Sequence, residues 1–131
     1  KTIQSQSTGN PCSVSQIAAI AALNGDQSCI QEMNIAYQDR NHFLVDALNS
    51  IPGFECKKAE GAFYAFPKVI DAITQKGLKN DIELVDLILN KTGVAMVPGT
   101  PFGAPGYIRL SFACSKENLM AAVNRIKKVI I

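Results

Sequence analysis

The period of the apolar positions changes along the chain, and each change marks an element. In "NPCSVSQIAAIAALNG", Ile17, Ala18, Ala21 and Ala22 recur at helical spacing. Asn10 suits the N-cap of that helix, Pro11 its first position and Gly25 its stop. The face is built of small side chains, so whatever packs on it comes close. Residues 1–9, "KTIQSQSTG", show no pattern and read as a loop or extended lead. A longer helix is predicted over about 29–50, opened by a capping box of Ser28 and Gln31. Ile30, Met33, Tyr37, Leu44, Ala47, Leu48 and Ile51 form its stripe, broken by a polar slot at Arg40–Asn41 and ended by Pro52-Gly53. Such a helix would span about 33 Å at the standard rise. That is long for a small domain and suits a strut between two bodies.

The period then shortens. Phe54 and Cys56 alternate with charges in "FECKKA", as on a half-exposed strand, and "GAFYAFP" is apolar on both faces, as in a central strand. The turn at Glu60-Gly61 joins them as a hairpin. "VIDAITQKG" reads as a short helix and "DIELVDLILNKTG" as a clearer one, with Asn80 or Asp81 as cap and Gly93 as stop. "VAMVPG" is a short buried strand, "TPFGAPG" a loop, and "YIRLSFA" a strand. Ser115 caps a last helix whose buried stripe is Leu119, Val123, Ile126 and Ile130. Strands and helices are interspersed without strict βαβ alternation. The expected class is α+β: a small mixed or antiparallel sheet of about four strands, helices packed mainly on one face, preceded by the long connecting helix.

Composition narrows the function classes. The 131 residues carry 47% hydrophobic residues and a net charge of +2, enough for a buried core without staples. The basic pairs Lys57-Lys58 and Lys127-Lys128 are isolated and read as solvated surface. Nucleic acid, which needs clustered Lys and Arg, is not an expected partner. No apolar run reaches membrane-spanning length, so no membrane partner is expected. Cys12, Cys29, Cys56 and Cys114 contain no C-x-x-C pair, so no metal site is expected, and they read as reduced thiols of a cytoplasmic protein.

The sharpest chemical feature is Arg109, an always-ionised guanidinium inside an apolar strand. It needs an anion. One reading is structural: a partner carboxylate such as Glu60, Glu83 or Asp86, or exposure at a sheet edge. The other is a planar, bidentate clamp on a ligand carboxylate or phosphate, favoured by the Gly- and Pro-punctuated loop "VPGTPFGAPG" that leads into the strand. His42 is the only histidine and has no nucleophile or acid beside it. Asp39 and Asp46 read as solubilising charges, and "GAFYAF" as core packing rather than a platform for bases. No phosphate-binding glycine motif or hydrolase signature is present.

Three stretches taken in order, "STGNPCSVSQIAAIAALNG", "YQDRNHFLVDALNSIPGFECKKAEGAFYAFPKV" and "GVAMVPGTPFGAPGYIRLSFACSKENLMAAVNRI", resemble the C-terminal part of class I/II, fold-type I aminotransferases dependent on pyridoxal 5'-phosphate. The bacterial aspartate aminotransferases are the nearest branch. The run "VPG", "FG", "G-x-x-R-L-S-F-A" is the most specific part. The resemblance implies that Arg109 binds the α-carboxylate of amino-acid and 2-oxo-acid substrates, that Phe63 lines the pocket wall, and that the small domain closes over the site. It divides the chain into 1–26, belonging to a large domain, and 27–131, the small domain proper. It puts Ser7 to Asn10 near a homodimer interface.

The resemblance also implies what is elsewhere. The Schiff-base lysine lies upstream in a motif that Lys1 lacks, and the large-domain residues that hold the cofactor ring are not in this sequence. No catalytic residue, no cofactor-binding residue and no bound cofactor are therefore expected here; the missing partner is an N-terminal large domain. In one animal-type subgroup an arginine reads the distal carboxylate at the position occupied here by Ser5, so distal selectivity is expected from outside the chain. The helix carrying Ile17 and Ala22 is expected to expose its apolar face. A free-standing amino-acid-binding or regulatory α+β module, and an aminotransferase of other specificity, are the alternatives.

Overall fold

The computed structural model describes residues 2–131. The chain forms two compact units, Lys1–Asn34 and Ile35–Ile131. The first holds α1 (Thr2–Ser7), α2 (Ser13–Asn24) and the opening turns of α3 (Ser28–Asn49). The lead expected to be a loop is thus helical, tightened by Ser7 Oγ and Thr8 Oγ1 donating to the Ile3 and Gln4 carbonyls at 2.7 and 2.8 Å. α2 starts later than Asn10 and Pro11 suggest, with Cys12 at its N-cap and no side chain capping it. It buries none of its residues, and Ile17 is 68% exposed. The start of α3 is braced by Asp26, whose carboxylate accepts from the Ser28 N–H (3.0 Å) and hydroxyl (2.5 Å), where a Ser28–Gln31 box was expected.

The second unit holds the rest of α3, β1 (Tyr64–Ala65), α4 (Ile70–Gln75), α5 (Asp81–Thr92), β2 (Val97–Pro98), a 3-10 turn (Thr100–Phe102), β3 (Ile108–Ser111) and α6 (Lys116–Ile130). The three-stranded sheet has the order β1-β3-β2 with both pairings antiparallel. Tyr64 faces Ser111 and Ala65 faces Leu110; on the other side Val97 faces Arg109. The same register continues past β1, through the Phe112 N–H to Phe63 carbonyl bond (2.9 Å) and the Lys68–Tyr107 bridge. The class is α+β, as the sequence implies.

The sheet buries one face only. Ile108, Leu110 and Ala65 point into the core with Leu44, Leu48, Val69, Leu84, Ile88 and Ile126. Arg109 and Ser111 alternate onto the other face. The reading of "GAFYAFP" as a central strand buried on both sides is corrected: β1 lies at the sheet edge, the alternation puts Tyr64 and exposed Phe66 on the uncovered face, and Phe63, just before β1, is exposed as well. α6 buries Leu119, Val123, Ile126 and Ile130, the stripe read from its periodicity.

The fourth expected strand, around Phe54–Ala59, is reduced to one bridge, Glu55–Lys68. Two asparagines of α3 take the strand partner's place. Asn49 accepts from the Cys56 N–H (2.7 Å) and donates to its carbonyl (3.0 Å). Asn41, two turns earlier, donates to the Ala59 carbonyl at 2.8 Å. The polar slot in the α3 stripe thus has a cause: buried Asn41 is hydrogen-bonding backbone that has no sheet neighbour. Asn41→Ala should lower unfolding stability by about 1–2 kcal/mol, read as a lower denaturation midpoint with unchanged slope. An unchanged midpoint would mean that water replaces the amide without loss.

Candidate carboxylate site

Arg109 sits on the central strand, on the face the core does not cover. Its guanidinium carbon lies 4.5 Å from the centroid of the Tyr64 ring and 4.6 Å from that of Phe102. The register explains the first contact: Tyr64 projects from the neighbouring strand on the same face, one step along. Ring faces attract the cation and shield it from water while leaving its N–H edge free.

None of the carboxylates considered as structural partners reaches it. The three ion pairs among the described residues are Lys68–Glu55, Lys79–Glu83 and Lys116–Asp39, so Glu83 is engaged elsewhere and neither Glu60 nor Asp86 pairs with Arg109. Phe63 stands one ring further out, 4.4 Å from Tyr64 and 6.5 Å from Tyr37, and is 41% exposed. The structure therefore brings Arg109, Tyr64, Phe102 and Phe63 into one aromatic cluster around a half-buried cation. The same sheet face continues into an open concavity of about 450 Å³ lined by Tyr64, Phe66, Tyr107, Lys57, Lys68 and Glu55.

The loop that supplies Phe102 is tightly specified. Its first and last glycines admit no side chain: a Cβ on Gly99 would collide with the Ala104 carbonyl, and one on Gly106, at φ +80, would lie 2.5 Å from Ile70 Cγ1. The Gly99 carbonyl accepts from the Phe102 and Ala104 N–H groups at 2.8 and 3.1 Å, and its own N–H donates to Tyr107 at 2.8 Å.

Beneath the loop lies a residue that sequence reasoning noticed only as a possible helix cap. Asn80 takes the capping role, accepting from the Glu83 N–H at 3.0 Å. Asp81 is freed to turn inward, fully buried, and accepts from the Thr100 N–H (2.8 Å), the Thr100 hydroxyl (2.7 Å) and the Gly106 N–H (3.3 Å). Burial pushes its carboxyl upward, but the Thr100 hydroxyl and the two backbone donors more than offset this, and the net shift is below the ordinary carboxylate range. The signal in the sequence was two adjacent capping residues where a helix needs one.

The other weighed residues lie apart from this cluster. His42 is exposed, Asp39 is tied to Lys116 at 2.9 Å, and Asp46 is exposed. Cys12 and Cys29 are exposed, Cys114 is half-buried, and burial pushes the Cys56 thiol up. No group of metal-ligating side chains occurs among the described residues, and no described helix is long and apolar enough to cross a membrane. Lys1 and the Ser5 side chain lie outside the described residues.

Comparison with known proteins decides the family. The family model for aminotransferase class I and II matches residues 1–126. The chain belongs to that family. An aspartate/prephenate aminotransferase of Nitrosomonas europaea is 54% identical over 99% of this chain. An aspartate aminotransferase structure from Rhizobium meliloti superposes with a TM-score of 0.90 at 36% identity over 98% of the chain, and an alanine aminotransferase from Pyrococcus furiosus with 0.85 at 34% identity over 92%. The chain spans about a third of these relatives, 34% of the first two and 30% of the last.

Aminotransferases of this family depend on pyridoxal phosphate. Two lysines line the concavity on the Arg109 face. An imine-forming lysine needs a desolvated or otherwise activated amine. On the Arg109 face Lys57 is exposed, and half-buried Lys68 lies 3.7 Å from Glu55 in an ion pair. The Arg109 guanidinium takes part in no ion pair among the described residues.

Because the Asp81 carboxyl is more acidic folded than unfolded, its contribution is full above its ordinary value, about pH 4, and is lost as pH falls through the lower folded value. In acid titrations monitored by circular dichroism, the chain should exceed its Asp81→Asn variant in stability at neutral pH. The gap should close below about pH 4. A gap independent of pH would show that the ionised form carries none of the stability.

Proposed function

We propose that this chain is the substrate-carboxylate-binding part of a pyridoxal-phosphate-dependent aminotransferase, with residues 27–131 as its small domain and 1–26 as part of the large one. Arg109 binds the α-carboxylate of the amino-acid and 2-oxo-acid substrates, Phe63 contributes to the pocket wall, and the domain closes the site when substrate is bound. The observation that supports this most is a half-buried guanidinium on the central strand, held against two rings and paired with no carboxylate of its own unit. A structural arginine in such a place would have an intramolecular anion. The two outward N–H groups of a guanidinium match a carboxylate in one plane.

The cofactor supplies the electron sink for the amino-group transfer. The work of this unit is orientation, since a substrate held at its carboxylate presents the same face to the base in every turnover. Closure then excludes water. The lysine and ring contacts belong to an N-terminal large domain, and the working form is a cytoplasmic homodimer. An aspartate/2-oxoglutarate specificity fits the named relatives, while the alanine aminotransferase among them fits a unit that reads the α-carboxylate common to all amino acids.

The test is made in the full-length protein carrying this chain. Arg109→Ala should lower kcat/KM by about 10²–10⁴-fold for aspartate and 2-oxoglutarate, the loss of two charge-assisted hydrogen bonds, with the cofactor absorbance unchanged. Arg109→Lys should recover only part, because an ammonium cannot make the planar pair. Wild-type kinetics in Arg109→Ala would overturn the assignment.

A further inference from the structure

We propose that Asp81 is a positioning residue for the carboxylate site, acting from the core through the loop that holds Phe102 over Arg109; this rests on the clamp reading of Arg109. The reasoning starts from an expense the fold does not need for its helix. Asn80 already caps α5, so a buried carboxylate at the next position has no capping duty. It has no cation either: no described ion pair includes it. All three of its donors outside its own residue come from one loop, two at Thr100 and one at Gly106, so a single side chain ties together the two ends of the 100–106 segment.

Within that segment the Phe102 ring has little else to hold it. It is 51% exposed and belongs to a single 3-10 turn. Its place over the guanidinium is therefore set by backbone: the Phe102 N–H bonds Gly99, the Gly103 N–H bonds Thr100, and Thr100 is bonded to Asp81 through both its N–H and its hydroxyl. If the Asp81 anchor slackens, the ring that backs Arg109 loses its fixed position, and the guanidinium gains rotamers that do not present both N–H groups to a carboxylate. Asparagine is the informative replacement. It keeps the volume of Asp81 but puts an amide donor where the fold supplies three donors.

The experiment is a double-mutant cycle in the full-length holoenzyme with aspartate and 2-oxoglutarate as the probes. Asp81→Asn should raise both KM values by about 5- to 50-fold, change kcat much less, and leave the cofactor absorbance in place. In the Arg109→Ala background the same substitution should have no further effect on KM, because it acts through Arg109. Equal effects in the two backgrounds, or an unchanged KM in the single variant, would overturn the inference while leaving the clamp standing. An Arg109→Ala variant with unchanged KM would overturn the clamp and the inference together. If Asp81→Asn does not fold, Thr100→Val carries the same cycle: it removes only the hydroxyl donor, should raise KM in the same direction by a smaller factor, and overturns the proposal if KM does not move.

Discussion

The constraint around which this unit is arranged is a positive charge that cannot be switched off, placed in the central strand of a three-stranded sheet. Had Arg109 faced the core, its burial would have demanded an internal carboxylate. The alternation of β3 sends it to the other face, beside Tyr64 and under Phe102. Rings satisfy part of a guanidinium's electrostatics through their faces but accept no hydrogen bond comparable to a carboxylate's. The cation is thus stabilised enough to stay in the fold and left short of a full complement. A satisfied arginine would have to break its internal pair before taking any ligand, and Arg109 has no such pair to break.

Most of the helices and the core stripe of the last one were legible because each is a local periodicity, while the sheet direction was left open between mixed and antiparallel. The α6 stripe of Leu119, Val123, Ile126 and Ile130 needs only a period of 3.6 to be found, whereas the alternation that turns Arg109 away from the core is seen only in the structure. The strand reading that failed involves backbone groups bonded by distant side chains. The segment at Phe54–Ala59 has strand-like alternation, yet Asn41 and Asn49 hydrogen-bond its backbone from a helix. No propensity encodes that choice, because it depends on where α3 passes. The opening of α2 differs in kind: Asn10 and Pro11 form a good start signal, but the helix begins after Cys12 with no side chain capping it.

The site was legible in part. Arg109 stood out as a charge in an apolar run, and the ordered motifs around it carried the family. Phe102 and Tyr64 were not singled out, since an aromatic beside a glycine in a loop has many uses and only the register places Tyr64 next to the cation. Asp81 was visible as one of two adjacent capping residues, but its inward turn follows from packing α5 against the loop of residues 99–106 rather than from α5 itself.

A common device runs through these differences. Three polar side chains, Asn41, Asn49 and Asp81, project from helices and bond the backbone of segments that no strand accompanies. Each replaces a sheet ladder with a point attachment. A ladder fixes a segment along its whole length, whereas a point attachment leaves the rest of the segment free to follow a shape that regular structure would forbid. The loop of residues 99–106 uses that freedom to curl an exposed ring back over the central strand, closed at both ends by one carboxylate. Any fold that holds one cation on an otherwise open sheet face meets the same geometric problem. Here the attachment lies in the core, at Asp81, and the ring it indirectly places lies at the surface, so the two ends of the arrangement need not touch.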